Sequence, residues 1–421
     1  MTVSPTQEKI QKTIGACSDL LNMVNPPIFE FAKVIGILVS NFPGVELSPL
    51  HYRALEHDKT SALAANAGNY EAPLHLSDTS VGELHWWVSH IPHAKRHISH
   101  GLPSVIIQSD ASKKGWGAVF EGQEIGGRWT ASEASRHINI LELEAAFFAL
   151  KSFGDKITGA HVQLHLDNTT AVAYVNNMGG SKSLELNCLA IKMWDWSIQW
   201  DNWISAVHLA GKLNIRADAQ SRNFSDKHEW TLHSSVFENI LSQYPELNID
   251  LFATRLNHKL PTYCSWKPDP GCSYIDAFSV NWGTYSFYAF PPFSLIPRCL
   301  QKISQDRAKG ILVVPLWPTQ SWFFIVLQLL YNQSWILSPD KRLLSHPTQV
   351  PHPLWKKLNL MVCPLSGIPS DNITFLLRSQ TSLWPLGDQV LKNNTKFTSK
   401  NGYGFVVKGK SITVHHRSVM H

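Results

Sequence analysis

The stretch SDASKKGWGAVF, residues 109–120, decides how this part of the chain folds. One carboxylate, Asp110, ends the apolar run VII, and small residues with a GWG then open a second short strand pattern. An Asp after a strand is most often a turn former or a helix cap. The functional alternative is a metal ligand at the edge of a sheet, which requires more carboxylates along the chain.

The pattern around this stretch predicts alternating strands and helices. VIIQSD, GWGAVFEG and GQEIGGRWT predict three strands, and SEASRHINILELEAAFFALKSFG predicts one long helix. HVQLHLD predicts a fourth strand, and NTTAVAYVNNMGG predicts a short helix with an Asn cap. LELNCLAIKMWDWSIQWD, WISAVHLAG and NIRADAQSR then predict helix, strand and helix. The fold class is therefore mixed α/β, with a five-stranded mixed sheet and flanking helices.

Three further acids fall on these predicted elements. Glu142 lies on the long helix, Asp167 ends the fourth strand, and Asp218 enters the last helix. Each also has an ordinary structural explanation, as a solvated helix face or a cap, but together with Asp110 they can converge on one edge of the sheet. Four close carboxylates raise one another's pKa unless cations share the site, and Mg²⁺ is a hard cation that takes oxygen ligands. Two such ions about 4 Å apart can hydrolyse a phosphodiester.

The same segments resemble the motif set of retroelement ribonuclease H domains, in the same order, over roughly residues 103–225. The motifs are SDAS with GWGA, INILELEAA, LDNTTA and HLAGKLNIRADAQSR. The resemblance implies that the four acids bind two Mg²⁺ ions and that His208 assists product release. It also implies hydrolysis of the RNA strand of RNA/DNA hybrids, which are recognised by groove shape and 2′-hydroxyls.

Two details qualify this resemblance. Glu144 is a decoy, because two residues along a helix it points about 200° away from Glu142. The extra basic helix that some cellular members use to hold substrate is missing, so hybrid binding is expected to need help from elsewhere in the chain or from a partner. Phosphate contacts are also expected from three basic residues: Lys182, Lys212 and Arg216.

Residues 1–100 are predicted to be mostly helical. NFPGVELSPLHYRALEHDKTSAL with ELHWW resembles the connection between polymerase and ribonuclease H in DIRS-type retrotransposon polyproteins. No Y-x-D-D polymerase motif occurs, so we expect a truncated polyprotein without fingers and palm, with any polymerase supplied in trans. Five histidines of this segment invite a metal hypothesis, but a solvated basic linker is favoured because Cys and a tetrahedral spacing are missing. They are His85, His90, His93, His97 and His100.

Residues 229–365 resemble the phage-type adenine methylase that follows the nuclease in DIRS-type elements, through NIDLFATRLNHKLPTYCSW, DAFSVNW and AFPPFSLI. The resemblance implies a Rossmann-like domain. It places six residues at S-adenosylmethionine and the target base: Asp250, Asp276, Phe290, Pro291, Pro292 and Phe293. Phe290 stands where the family has Asn or Asp, and a phenyl ring cannot accept a hydrogen bond from the base amine. The glycine-rich cofactor loop is also missing, so methyl transfer is in doubt.

The amino-acid composition indicates the class of protein and its cellular compartment. The 421 residues carry a net charge of +5 and are 44% hydrophobic, which indicates a globular protein and permits a nucleic-acid partner. Six scattered cysteines without a C-x-x-C pair indicate a reducing intracellular compartment, cytoplasmic or nuclear. The apolar window 311–330 is interrupted by two prolines and predicts no membrane span. Residues 366–421 are predicted to form a basic, loosely ordered tail.

Three functions follow as alternatives. The leading one is a ribonuclease H acting on RNA/DNA hybrids, in a domain spanning residues 101–228. The second is a catalytically inactive retroelement remnant that binds nucleic acid. The third is a DNA adenine methyltransferase that uses the nuclease-like domain as a targeting module.

Overall fold

The computed structural model describes residues 1–224, 229–346, 351–381 and 402–417. The chain forms two compact units, Met1–Phe224 and Ser225–His421. Among the helices in the described ranges, none combines the length and apolar composition that crossing a bilayer requires. All six cysteines are free thiols.

The first hundred residues are mostly helical, as predicted. A two-residue strand, β1 (Thr2–Val3), is followed by α1 (Gln7–Asn22), α2 (Ile28–Ser40), α3 (Arg53–Ala65), α4 (Asp78–His90) and a second short strand, β2 (Arg96–His97). The two strands pair antiparallel, with Thr2 opposite His97. Side-chain oxygens of Thr6 and Ser77 cap α1 and α4, and the apolar faces of the helices share one core around Phe31 and Trp87.

The rest of the first unit is built on a five-stranded sheet. Its strands are β3 (Val105–Ala111), β4 (Gly115–Phe120), β5 (Gln123–Arg128), β6 (His161–Leu166) and β7 (Trp203–His208). The order across the sheet is β5-β4-β3-β6-β7, with the first two pairings antiparallel and the last two parallel. The predicted mixed sheet of five strands is confirmed.

Six helices accompany this sheet. They are α5 (Ala131–Ala134), α6 (Ile138–Ser152), α7 (Gly154–Ile157), α8 (Thr169–Asn176), α9 (Leu184–Gln199) and α10 (Ile215–Arg222). The single long helix predicted after β5 is wrong, because that segment forms α5, α6 and the start of α7. His137 separates the first two by capping α6, accepting from Asn139 N. Leu141, Ala145 and Phe148 are buried on α6, which packs into the core of the sheet.

The second unit contains a seven-stranded mixed sheet. Its elements begin with β8 (Thr231–Leu232), α11 (Ser234–Gln243), β9 (Ile249–Asp250), β10 (Cys264–Ser265), β11 (Tyr274–Ile275), β12 (Ser286–Ala289), α12 (Ile296–Gln305) and β13 (Lys309–Pro315). They continue with α13 (Phe323–Leu329), β14 (Trp335–Leu337), β15 (Leu344–Ser345), β16 (Leu360–Ser366), α14 (Pro369–Arg378), β17 (Gly402–Val407) and β18 (Lys410–Arg417). The large sheet has the order β17-β18-β14-β16-β13-β12-β9.

Both faces of this sheet are buried at its central strand β13. Along β13, Leu312 and Val314 belong to one hydrophobic cluster and Ile311 and Val313 to another, as the alternation of side chains in a strand requires. Strands β9, β12 and β13 are mutually parallel, and β16 runs antiparallel to β13. The predicted second α/β unit is therefore present as a mixed sheet covered on both sides.

The predicted loosely ordered tail needs correction in the described residues. Helix α14 and the antiparallel pair β17 and β18 lie in it, and β18 pairs parallel to β14 inside the large sheet. Ile412 and Val414 are buried on one side of β18, while alternate residues face outward. The basic composition concealed this two-residue alternation. Residues 382–401 and 418–421 of the predicted tail lie outside the described residues.

Candidate active site

Three of the four predicted acids meet at one edge of the five-stranded sheet. Asp110 lies near the end of β3, Glu142 lies on α6, and Asp167 directly follows β6. Because β3 and β6 are adjacent and parallel, their carboxyl ends lie side by side. One carboxylate oxygen from each residue lies within 4.8 Å of the others. We call Asp110, Glu142 and Asp167 the carboxylate cluster.

Burial and mutual repulsion hold protons on this cluster. Asp110 is 3% exposed and Glu142 is 6% exposed. Burial is the main cause that raises the pKa of Glu142 to about 9, and the charges of Asp110 and Asp167 raise it further. Burial likewise raises the pKa of Asp110 to about 6, opposed by a hydrogen bond from Ser221. The cluster therefore lacks the positive charge that would ionise it fully at neutral pH.

Hydrogen bonds orient two of the carboxylates. The backbone N–H of Ala111 donates to Glu142 Oε2 at 3.2 Å. Ser221 Oγ donates to Asp110 Oδ2 at 2.8 Å. Ser221 was not among the predicted site residues, although it lies in the ADAQSR motif. Its role depends on which way α10 turns, and the sequence alone does not give that direction.

Asp218 lies beside the cluster but pairs with a cation of its own helix. Its Oδ1 accepts from Arg222 Nε at 2.7 Å and lies 2.6 Å from Arg222 Nη2. Its charge still contributes to the raised pKa of Asp110, so the two carboxylates are near neighbours. The structure therefore brings three predicted acids together and holds the fourth at the margin in an ion pair with Arg222, a residue that the motif did not single out.

The GWG of the opening stretch, residues 115–117, explains how α10 packs so close to β4. Trp116 is 1% exposed and meets Phe148 of α6 edge to face. Gly117 pairs with Asp110 in the sheet, and a Cβ at Gly117 would collide with the carbonyl oxygen of Ala217 in α10. The missing side chain thus lets α10 pack directly on β4, where Ser221 reaches Asp110.

His208, the residue that the resemblance associates with product release, lies next to Asp167. It ends β7, which is parallel to β6, and its exposed ring donates from Nε2 to the Asp167 carbonyl oxygen at 3.2 Å. The following loop also approaches, since a Cβ at Gly211 would lie 3.2 Å from Asp167 Oδ2. An ionisable group is therefore available at the open side of the site.

Glu144, the predicted decoy, and the three basic residues expected to contact phosphate have different neighbours. Glu144 Oε2 accepts from Arg136 Nη1 at 2.6 Å, outside the carboxylate cluster, as the helical spacing predicts. Arg216 donates from Nη2 to the Gly122 carbonyl oxygen and from Nε to Glu124. Lys182 and Lys212 are exposed. Arg216 is exposed as well, but its guanidinium is held by these two contacts.

The carboxylate cluster has the chemistry of a magnesium site. It offers only oxygen ligands, two of its members are buried, and burial, with the neighbouring carboxylates, raises the pKa of both. Hard divalent cations prefer such a set, and binding one would displace the retained protons. Asp110, Glu142 and Asp167 are the residues that would hold the ion.

In the second unit, the predicted cofactor-binding residues differ from one another in their burial and in the groups they contact. Asp250 is buried, and its carboxylate accepts from the backbone N–H groups of Phe252 and Lys259, so it shapes the loop after β9. Burial raises its pKa to about 6. Asp276 and Pro292 line a cavity of about 520 Å³ together with Phe252 and Phe278.

The proline loop lies next to this cavity. Pro291 is buried, and Phe290 is half-buried against the hydrophobic cluster that contains Ile311. Phe293 meets Trp317 edge to face, with ring centroids 5.3 Å apart. Of the four predicted residues Phe290, Pro291, Pro292 and Phe293, Pro292 lines the cavity, as do Ser294 and Leu295 after them.

Comparison with known proteins gives partial matches. No protein-family model matches the chain. The enzymatic polyprotein of Figwort mosaic virus (strain DxS) is 26% identical over 138 residues, which cover 29% of this chain and 19% of that protein. The chain is thus similar to about a fifth of the length of that viral relative.

Several solved structures are also similar. RNase H1 from the halophilic archaeon Halobacterium salinarum is 21% identical, with 28% of this chain and 92% of that chain covered, at a TM-score of 0.23. LC11-RNase H1 in complex with an RNA/DNA hybrid is 22% identical. That match covers 28% of this chain and 93% of that chain, at a TM-score of 0.24. The foamy viral protease-reverse transcriptase in complex with an RNA/DNA hybrid is 14% identical. That match covers 48% of this chain and 27% of that chain, at a TM-score of 0.20.

Proposed function

We propose that the chain is a ribonuclease H-type endonuclease that hydrolyses the RNA strand of RNA/DNA hybrids. The observation that carries this proposal is the carboxylate cluster, with three acid oxygens within 4.8 Å at one edge of the sheet. Oxygen ligands in this number and proximity suit divalent ions that serve phosphodiester hydrolysis. The motif resemblance and the similarity to a viral enzymatic polyprotein support the same activity.

The roles of the residues follow from their positions. Asp110, Glu142 and Asp167 would hold two Mg²⁺ ions, which supply activation of the attacking water and stabilisation of the leaving oxygen. Ser221 orients the Asp110 carboxylate through its hydrogen bond. Asp218 completes the set when its carboxylate leaves Arg222. His208 lies at the open side, where a proton donor assists departure of the cleaved strand.

We propose that the RNA/DNA hybrid is recognised by the shape of its duplex. Recognition by groove width and 2′-hydroxyls needs phosphate contacts near the site, and Lys182 and Lys212 are exposed for that purpose. We further propose that the chain derives from a DIRS-type retrotransposon polyprotein and works with a polymerase supplied in trans.

The test is cleavage of a hybrid labelled separately on the RNA and DNA strands. The purified chain with Mg²⁺ is expected to cut the RNA strand alone, and EDTA or Asp110→Asn is expected to abolish the cut. Cleavage of both strands, or cleavage that survives Asp110→Asn, would contradict the proposal.

The ion pair between Asp218 and Arg222 favours one alternative, an inactive protein that binds nucleic acid. In that case the fourth carboxylate stays paired and the hybrid is bound without being cut. Asp218→Asn separates the two functions. It lowers the cleavage rate if Asp218 joins the site, whereas hybrid binding without any cleavage in the unmodified chain would establish the inactive binder.

The cavity beside Pro292 favours a second alternative, S-adenosylmethionine binding in the second unit. Its volume of about 520 Å³ is within the usual range of small-molecule sites, and aromatic side chains border it. Calorimetric titration with S-adenosylmethionine tests this alternative. Saturable binding that Asp276→Ala weakens would support it, and the absence of binding heat would exclude it.

A further inference from the structure

A second cluster of metal-ligating side chains lies in the first unit, on residues that the proposed nuclease chemistry does not use. Glu46, His97 and His100 each offer one ligand atom, and these three atoms lie within 4.8 Å of one another. His100 Nε2 is 2.7 Å from Glu46 Oε1, and His97 Nδ1 is 3.0 Å from Glu46 Oε2. We call these three residues the His/Glu cluster.

Backbone contacts hold this cluster in place. The His97 N–H donates to Glu46 Oε1 at 3.3 Å, and the Glu46 N–H donates to the Lys95 carbonyl oxygen at 3.4 Å. Arg96 Nη1 donates to the Phe42 carbonyl oxygen at 2.7 Å. Strand β2, which contains His97, also pairs with β1. Three of these contacts join the segments that carry Glu46 and His97, about fifty residues apart, and the pairing with β1 also holds β2, so the ligand atoms gain fixed positions.

Stacking fixes the ring of His100. It lies flat on Trp203 of β7, with centroids 3.4 Å apart and planes 7° apart. Its Nε2 nevertheless faces Glu46, so the stacking leaves the ligand atom directed into the cluster. A ring held in this way loses little freedom when it binds an ion, which favours binding.

Space for a further ligand adjoins the cluster. A cavity of about 360 Å³ is lined by His97 and His100, and by Ser99, His161 and Trp203 on its other sides. His161 is occupied by hydrogen bonds to the Gly101 carbonyl oxygen and to Ser205 Oγ. The cavity therefore offers room for a water as a fourth ligand without requiring another protein side chain.

We propose that Glu46, His97 and His100 bind a divalent transition-metal ion, with Zn²⁺ as the best fit. Two imidazole nitrogens and one carboxylate oxygen form a ligand set that zinc accepts, with bond lengths of about 2.0–2.2 Å and an open fourth position. At those bond lengths the edges of the tetrahedron are about 3.3 Å long. With Glu46 Oε1 as the carboxylate ligand, the observed separations are 2.7 Å to His100 Nε2 and 3.4 Å to His97 Nδ1, and both need only small adjustments to reach that length.

The ligand types separate this site from the carboxylate cluster. Imidazole nitrogen suits zinc, copper, nickel and iron, whereas magnesium prefers oxygen alone. The site also has a structural consequence. Glu46 precedes α3 in the helical segment, and His100 rests on the sheet strand β7, so the ion ties the helical segment to the edge of the sheet. This proposal does not depend on the proposed nuclease activity.

The first test is titration of the chelator-treated full chain with Zn²⁺ in excess Mg²⁺, which keeps the carboxylate cluster filled. We expect one equivalent of Zn²⁺ to bind. Glu46→Gln is expected to weaken that binding at least about tenfold, since lost supporting interactions alone cost metal sites that much. The double variant His97→Gln/His100→Gln is expected to lose the equivalent altogether.

The matched control is His85→Gln/His93→Gln, which removes two histidines of the same segment outside the cluster and should leave zinc binding unchanged. Equal zinc binding by the control and by His97→Gln/His100→Gln would overturn the proposal, as would no binding by the unmodified chain. Glu46 and the two histidines would then be hydrogen-bonded partners only.

A measurement on the unmodified chain covers the case in which a variant fails to fold. Diethyl pyrocarbonate modifies accessible imidazoles, and mass spectrometry locates the modified residues. Zn²⁺ is expected to protect His97 and His100, but not His85 and His93. Unchanged modification of His97, whose side chain is 53% exposed, would contradict the proposal.

Discussion

At Glu142, burial and the two neighbouring carboxylates act in the same direction on one side chain. They raise its pKa from 4.5 to about 9, and the nearby Asp110 is raised from 3.8 to about 6. The metal-free folded protein therefore keeps protons that the unfolded chain has already released. A divalent ion removes this imbalance by replacing the protons, so the cluster links metal binding to pH.

The pH dependence of stability without metal follows with a definite sign. Between about pH 4.5 and pH 9 the folded state binds more protons than the unfolded state, so the free energy of unfolding falls as pH rises. The slope reaches at most about 1.4 kcal/mol per pH unit for each proton. Urea denaturation in EDTA, repeated at intervals from about pH 5 to about pH 9, measures this slope.

Glu142→Gln provides the variant for this measurement. It is expected to reduce the slope above about pH 8, beyond the titration of Asp110 and Glu83, whose pKa values are raised to about 6 and about 7. Glu144→Gln is the control, because Glu144 pairs with Arg136 outside the cluster and should leave the slope intact. An unreduced slope above about pH 8 in Glu142→Gln would show that Glu142 is not the group responsible there.

The sequence predicted the carboxylates better than their partners. Asp110 and Asp167 could be placed because each ends a strand of a predictable sheet, and Glu142 because it lies on the helix that covers that sheet. The ion pair of Asp218 with Arg222 could not be predicted, since it depends on side-chain rotamers on an exposed helix. The His/Glu cluster escaped prediction because its third ligand, Glu46, is distant in the sequence.

At the scale of elements, the contact between β4 and α10 positions one side of the site. Gly117 is the point of closest approach, and a methyl group there would meet the Ala217 carbonyl oxygen and the Ser221 N–H. The helix carries Asp218 and Ser221, so its distance from the strand determines whether both reach Asp110. The composition of β4 and the position of Ser221 beside Asp110 are thus coupled at a single glycine.

Gly117→Ala tests that coupling. We expect overpacking to lower the free energy of unfolding by about 1–3 kcal/mol and the displaced α10 to slow hybrid cleavage. Urea denaturation and cleavage rates measure the two effects. Gly36→Ala in α2 is the control, since no atom lies within 4 Å of its added Cβ and it should be neutral or stabilising. A fully stable and active Gly117→Ala would refute the coupling.

Elements were predictable where one periodicity dominated. The alternation in HVQLHLD and the capped helix after Asn168 are both present as β6 and α8. The long helix predicted across His137 was wrong, because a local cap outweighs a continuous apolar pattern. Strand β18 was missed because its basic residues suggested loose order, although its hairpin partner β17 is adjacent in the sequence.

At the scale of the whole molecule, each compact unit has hydrophobic clusters of its own. The carboxylate cluster and the His/Glu cluster both lie in the first unit. Chemistry and zinc binding are therefore expected to belong to that unit, while the second unit offers the cavity beside Pro292.

A fragment of residues 1–224 tests this division. It is expected to unfold cooperatively and to cleave hybrid with an unchanged kcat but a raised KM, because Lys182 and Lys212 alone provide few phosphate contacts. Circular dichroism and steady-state kinetics measure both properties. A fall in kcat at constant KM would instead mean that the second unit takes part in the chemical step.

The most direct measurement of the central claim is the rate of hybrid cleavage by Glu142→Gln beside Glu144→Gln, in Mg²⁺ and in EDTA. The unmodified chain is expected to cut the RNA strand only with Mg²⁺. Glu142→Gln should be slower by at least about a hundredfold, or roughly 2.7 kcal/mol of transition-state stabilisation, while Glu144→Gln stays within about threefold. Equal rates for the two variants, or cleavage that continues in EDTA, would contradict the assignment of the carboxylate cluster as the active site.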